Sequence, residues 1–264
     1  MSAPDEIRGA STSTVGLRNR VPHIIILYWI IKIAATTLGE TGADMFSMTF
    51  SLGYGMTIGI FLLVSLAFGV IKLALKRYNP TSYWLLFTST AILGTAISDF
   101  IDRTLGLGYV VGSLVLTVLL LIVLALWHRR EKSLSVERIT SSRVEIYYWV
   151  AFLVANTLGT AAGDCLADDF GLGFSHSAIL LGCLLAVAGA LHYFTRTSTV
   201  ILFWFAFVLT RPFGAAFGDL LTKSKADGGL GFGTVAASLF FAVILVLALI
   251  KETQMERTRY GNPA

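Results

Sequence analysis

LGTAAGDCLADDFGLGF, residues 158–174, places a carboxylate directly after Gly163 and two more, Asp168 and Asp169, close behind it, in the middle of strongly apolar chain. Three other segments align with it on that first Asp. They read LGETGADMFSMTFSLGYG (38–55), LGTAISDFIDRTLGLGYV (93–110) and FGAAFGDLLTKSKADGGLGFG (213–233). The aligned carboxylates are Asp44, Asp99, Asp164 and Asp219, spaced by 55, 65 and 55 residues. Five residues before each stands Gly39, Gly94, Gly159 or Gly214, and one before stands a small residue, Ala43, Ser98, Gly163 or Gly218. Nine residues after the first three Asp comes Gly53, Gly108 or Gly173; a three-residue insertion moves the fourth to Gly231. Agreement at several fixed offsets marks one supersecondary unit repeated four times.

The composition says where such a unit sits. Of 264 residues, 55% are hydrophobic and 14% charged, and the mean hydropathy is +0.75. A membrane-crossing helix needs about 20 apolar residues. The pattern predicts eight, at 22–46, 55–76, 81–102, 109–129, 145–167, 174–194, 198–221 and 232–251. The fold class expected is an all-α membrane protein, with eight transmembrane helices arranged as four parallel two-helix repeats about a pseudo-fourfold axis. A charged linker (130–144) separates a first half (22–129, repeats 1 and 2) from a second (145–251, repeats 3 and 4). Polar tails at 1–21 and 252–264 flank them, the first expected to be disordered and, without an apolar h-region, not a cleaved signal. Lys and Arg gather in the two tails, at 72–77, in the 129–143 loop and at Arg196. The opposite side holds only Arg103, Lys223 and Lys225. By the positive-inside rule both termini are cytoplasmic, and the expected location is the bacterial plasma membrane. The net charge of +4 is spread over span ends, which argues against nucleic acid as a partner. Two cysteines, Cys165 and Cys183, form no metal or disulfide pattern.

Within the repeat, Gly-xxx-small lets helices approach closely. Gly39, Gly94, Gly159, Gly163, Gly214 and Gly218 are therefore expected packing positions, and the odd-numbered spans the inner set. The Asp residues need another reason, because an ionisable group inside a membrane usually faces a partner or a cavity. Four converging carboxylates repel unless cations or protons lie between them. Carbonyls at a helix C-terminus also favour a cation. Asp44, Asp99, Asp164 and Asp219, with Glu40 of the first copy, thus read as a ligand set for a bound divalent cation. Oxygen ligands suit magnesium, calcium and manganese. Lys32 lies eight residues before Glu40 on the same stripe, and Arg211 precedes Pro212 in the fourth copy. Both read as built-in counter-charges, structural or standing in for a transported cation.

The four G-x-x-x-small-Asp…L-G-[YF] units resemble a family of bacterial integral membrane proteins, uncharacterised in activity and built from tandem two-helix repeats. The resemblance runs from Pro22 to Lys251 and implies fold and location. ETGAD (40–44) is also similar, with one residue inserted, to the E-x-G-D signature of a calcium/manganese exchanger family, which implies carboxylate chemistry toward a metal.

The function these residues point to is transport of a cation, foremost a divalent metal such as manganese, exchanged for protons at the carboxylate cluster. The alternatives are a non-transporting membrane scaffold or sensor, a channel, and an anion carrier anchored by Lys32 and Arg211. No soluble catalytic domain or nucleotide motif is present, so no enzyme activity is expected. Lipid and the transported ion or small solute are the expected partners. The sequence leaves open whether the hairpins close within one chain or across a homodimer.

Overall fold

The computed structural model describes residues 20–132, 134, 139 and 141–260. Residues 1–19 of the expected tail, residues 133, 135–138 and 140 of the linker at 130–144, and 261–264 lie outside the described residues. The remainder is helical: α1 (Ile26–Asp44), α2 (Gly53–Leu75), α3 (Pro80–Asp99), α4 (Tyr109–Glu131), α5 (Ser142–Asp164), α6 (Gly173–Phe194), α7 (Thr199–Thr222) and α8 (Thr234–Tyr260). Among the described residues there is no strand. Local chemistry sets several boundaries. The Asn79 side chain accepts from the Ser82 amide at 2.9 Å, and Pro80 takes the first helical position. Ser141 caps α5 through the Val144 amide at 3.2 Å.

The odd helices form a ring, α1 on α3, α3 on α5, α5 on α7 and α7 back on α1. Each even helix leans on the inner helix of the next repeat: α2 on α3, α4 on α5, α6 on α7, and α8 on α1. The ring is therefore closed within one chain. Burial follows the split, since 78% of the α3 span is buried inside the protein against 17% of the α2 span. Among the described residues seven helices are long and apolar enough to cross a membrane, which makes this a helical membrane protein. The exception to the expected eight is α1, whose apolar run is diluted by Lys32, Glu40 and Asp44. The eighth helix also runs to Tyr260, past the expected end at 251.

The motif glycines sit at the ring contacts. A Cβ on Gly39 would meet Ala91 Cβ at 2.6 Å, and one on Gly94 would meet Asn156 Cβ at 3.0 Å. One on Gly159 would strike the Arg211 side chain, and one on Gly214 would meet Thr36 Oγ1 at 2.6 Å. Ala91, Asn156, Arg211 and Thr36 are the same repeat position, eight residues before the Asp. Each glycine thus seats the next repeat's residue, and the fourth seats the first. Past the Asp, the first three copies widen into a π-helical turn, Met45–Thr49, Phe100–Thr104 and Cys165–Asp169. The L-G-[YF] glycines then turn the chain with positive φ of 71°, 72°, 68° and 74° at Gly53, Gly108, Gly173 and Gly231, a conformation glycine adopts without strain.

Candidate functional site

Equivalent residues of the four inner helices stack as layers along the ring axis. At the end where the inner helices begin, here the terminal end, the layer is Tyr28, Tyr83, Tyr148 and Phe203. Tyr28, Tyr83 and Tyr148 are almost fully buried, and the hydroxyls of Tyr83 and Tyr148 hydrogen-bond each other. The next layer is Lys32, Phe87, Phe152 and Phe207. Phe152 packs against Phe87 and Phe207 at ring distances of 4.3 and 5.3 Å. Lys32 Nζ lies 3.8 Å from the centre of the Phe207 ring and 5.9 Å from that of Phe87. That placement over aromatic faces is attractive for a cation. Its ammonium donates to the Phe207 carbonyl at 2.8 Å and to the Thr210 hydroxyl.

One turn on comes a crossbar. Arg211 leaves α7, passes over the bare backbone of Gly159 on α5, and ends between α1 and α3. Its Nη1 donates to the Thr36 carbonyl at 3.2 Å and to Glu40 Oε2 at 3.4 Å. Its Nη2 donates to the Ala91 carbonyl at 3.2 Å and to the Thr95 hydroxyl. Glu40 Oε2 also accepts from Thr95 at 3.2 Å and Thr160 at 3.3 Å. Glu40, Thr95 and Thr160 occupy one repeat position, so a single carboxylate gathers three helices and a guanidinium from the fourth. Arg211 and Glu40 are buried, 1% and 3% exposed. A buried pair of this kind costs much to break, because removing one partner strands the other charge.

The aspartate layer lies beyond. All four carboxylates are no more than 2% exposed, yet they do not form one cluster. Arg103, four residues after Asp99, places Nε 3.4 Å from Asp99 Oδ1 and Nη2 3.3 Å from Asp164 Oδ2. Lys223, four residues after Asp219, places Nζ 3.1 Å from Asp219 Oδ1 and 2.7 Å from Asp44 Oδ2. The repeats are joined in pairs, second to third and fourth to first, which reduces the fourfold pattern to a twofold one. Tyr54 and Tyr109, from the L-G-Y turns, accept from Arg103 at 3.3 and 3.0 Å. The side chains of Arg103 and Lys223 are 28% and 22% exposed, so both reach in from the rim. Burial alone would lower the Lys223 ammonium, but Asp219 and Asp44 outweigh it and hold it above lysine's ordinary range. Neither oxygen of Asp99 accepts a hydrogen bond among the described residues, and Asn156 Nδ2 and Arg211 Nε have no acceptor there.

The expected metal set, Asp44, Asp99, Asp164, Asp219 and Glu40, is thus divided. Glu40 belongs to the crossbar, and the chain's own nitrogens stand between the aspartates. Among the described residues no group of three or more His, Cys, Asp or Glu is arranged to hold a metal ion. Of the two expected counter-charges, Arg211 pairs with Glu40, whereas Lys32 meets carbonyl, hydroxyl and rings. Lys32 and Glu40 share a stripe, but eight residues of helix set them about 12 Å apart. Sequence reading placed Arg103 and Lys223 merely on the sparsely charged side. The signal for them was their i,i+4 spacing from Asp99 and Asp219.

At the terminal end, Glu145 holds Arg20 Nη1 and Lys72 Nζ, each at 2.7 Å. Glu252 accepts from Tyr78 and from Trp84 Nε1, the latter at 2.7 Å. These contacts tie the segment before α1, and α2 and α8, to the inner ring.

Comparison with known proteins agrees with the internal repeat. The pattern described as a Repeat of Unknown Function (DUF347) matches four times, at residues 27–78, 82–133, 147–198 and 202–258. A lipoprotein signal peptidase of Streptococcus agalactiae is 35% identical over an alignment of 92 residues that covers 31% of this chain. The match spans 59% of that relative's length. No solved structure matches the chain.

Proposed function

We propose that this chain, which belongs to the Repeat of Unknown Function (DUF347) family, is a carrier of a small cation that binds at the aspartate layer by displacing the protein's own cations. In this reading it is a transporter and not an enzyme. All eight helices cross the bacterial plasma membrane, α1 included, since its charges face the ring and not lipid. The termini lie in the cytoplasm and the aspartate layer opens outward, in keeping with the Lys and Arg distribution.

The observation that carries this is the pairing of four buried aspartates on two rim cations, Arg103 and Lys223. A side chain that enters from the rim can swing out without unwinding a helix. The carboxylates it leaves repel each other and attract whatever cation replaces it. Asp102, also buried, is turned aside onto Ser98 and onto Gly112 of α4; of the rest, Glu40 and the four aspartates meet four cations, Lys32, Arg103, Arg211 and Lys223. The surplus is one negative charge, which suits a singly charged ion or a proton better than a divalent metal. Beneath the layer, the crossbar and the aromatic layers close the axis toward the cytoplasm, as an outward-facing carrier requires.

An anion carrier anchored on Lys32 and Arg211 is less well supported, because both already donate to Phe207, Thr210, Thr36, Ala91, Thr95 and Glu40. The scaffold reading draws on one observation, that most of these charges have partners. Uptake of monovalent and divalent cations into proteoliposomes separates the two. The carrier reading expects uptake of a monovalent cation or proton, at least about tenfold slower in Asp44→Asn at equal protein. Absence of any cation-dependent flux from folded wild-type protein would leave only the scaffold.

A further inference from the structure

We infer that the cation taken at the aspartate layer carries a primary ammonium or a guanidinium head group; this rests on the carrier reading above. The two sites are already ammonium and guanidinium sites, occupied by the chain itself. Lys223 presents an alkylammonium to two carboxylates at 2.7 and 3.1 Å. Arg103 presents an alkylguanidinium to two others at 3.3 and 3.4 Å. A free molecule ending in the same group meets the same oxygens once the side chain withdraws.

The open valences agree. Asp99 is 1% exposed, and neither of its oxygens accepts a hydrogen bond among the described residues. An ammonium offers three donors and a guanidinium five, whereas a bare alkali ion offers none. A dehydrated divalent ion would need several oxygens at about 2.0–2.6 Å around one point. The aspartates are instead divided two and two, with no group of three or more acidic, His or Cys residues gathered among the described residues.

The two sites also differ in shape. Tyr54, Tyr109 and Asp164 accept from Arg103 and the Asp99 carboxylate lies beside it, so that site surrounds a planar fork with three acceptors and a further carboxylate. Phe174 and Phe232 stand at the matching L-G-[YF] positions of repeats 3 and 4, and among the described residues the Lys223 site offers two carboxylates for its point charge. A planar, multi-donor head and a compact ammonium are not interchangeable at such sites. The Arg103 site therefore selects guanidinium and the Lys223 site ammonium.

Chemical rescue tests this. Arg103→Ala and Lys223→Ala are purified in detergent and their melting temperatures read against added methylguanidinium, methylammonium, sodium and manganese at millimolar concentration. Each variant should melt several degrees below wild type, with about 3–6 °C expected for a protein of this size. Methylguanidinium should restore most of the loss in Arg103→Ala, and methylammonium most of it in Lys223→Ala. Equal restoration by sodium or manganese, or no restoration by either organic cation, overturns the inference. Should either variant not fold, the wild-type protein serves: methylguanidinium or methylammonium should inhibit its cation uptake, and indifference overturns the inference while leaving the carrier reading intact. Rescue without any cation flux does the reverse.

Discussion

The crossbar and the aspartate layer lie one turn apart on the same four helices, and they handle charge differently. At the crossbar the repeats disagree: Glu40, Thr95, Thr160 and Ala215 at one position, Thr36, Ala91, Asn156 and Arg211 at the other. That disagreement lets one ion pair span the ring with both partners sealed from solvent. At the aspartate layer the repeats agree, and four identical carboxylates would destabilise the fold if left alone. The difference there is moved four residues outward, to Met48, Arg103, Asp168 and Lys223, where two of the four copies supply a cation from the rim. Divergence inside the ring makes a lock. Divergence at its edge makes counter-charges that can leave.

The largest effect should come from breaking the lock. Glu40→Gln strands the Arg211 guanidinium and should cost about 3–5 kcal/mol, read by unfolding in detergent. Replacing both, with Glu40→Met and Arg211→Met, should recover most of that loss; a double variant as unstable as the single would mean the network is more than this pair. Packing comes next. Gly39→Val should cost about 1–3 kcal/mol by overpacking, because its Cβ would lie 2.6 Å from Ala91 Cβ. Gly55→Val, where nothing lies within 4 Å, should change the melting point little.

The rim cations should matter less than the lock. Lys223→Met should cost about 1–2 kcal/mol, below the buried-pair range because the side chain is partly exposed. A loss equal to that of Glu40→Gln would erase the distinction between the two layers. The smallest effect is in pH. Asp219 and Asp44 hold the Lys223 ammonium above its ordinary range against the opposing effect of burial. A raised folded-state value means stabilisation fully present below the unfolded value and lost only as pH climbs through the folded one. The melting difference between wild type and Lys223→Met should therefore stay constant from pH 7 to about pH 10.

The repeat and its inner helices were legible in the sequence because their causes are local and repeated, whereas closure of the ring within one chain rests on the contact of α7 with α1. Gly39, Gly94, Gly159 and Gly214 recur at one offset since each must seat the next repeat. Gly53, Gly108, Gly173 and Gly231 recur because each adopts a positive φ. The four aspartates were legible for the same reason. Their partners were not, because Arg103 and Lys223 align with Met48 and Asp168 and so vanish from a search for agreement. Nor was the crossbar: Arg211 and Glu40 are 171 residues apart, and the stripe Lys32, Thr36, Glu40, Asp44 marks one helix face without naming the partner that the ring sets across it. The Glu145 contact with Arg20 and Lys72 lay in segments that read only as basic flanks.

The central claim is that a cation from solution replaces a cation of the chain between paired aspartates. Isothermal titration of methylguanidinium into the purified protein in detergent tests it most directly, since Asp99 and Asp164 are the pair held by Arg103. The account predicts saturable binding to wild type that is lost in Asp99→Asn with the fold intact. A folded wild-type protein that binds neither methylguanidinium nor any monovalent metal cation, or an Asp99→Asn variant that binds methylguanidinium with unchanged affinity, would contradict it.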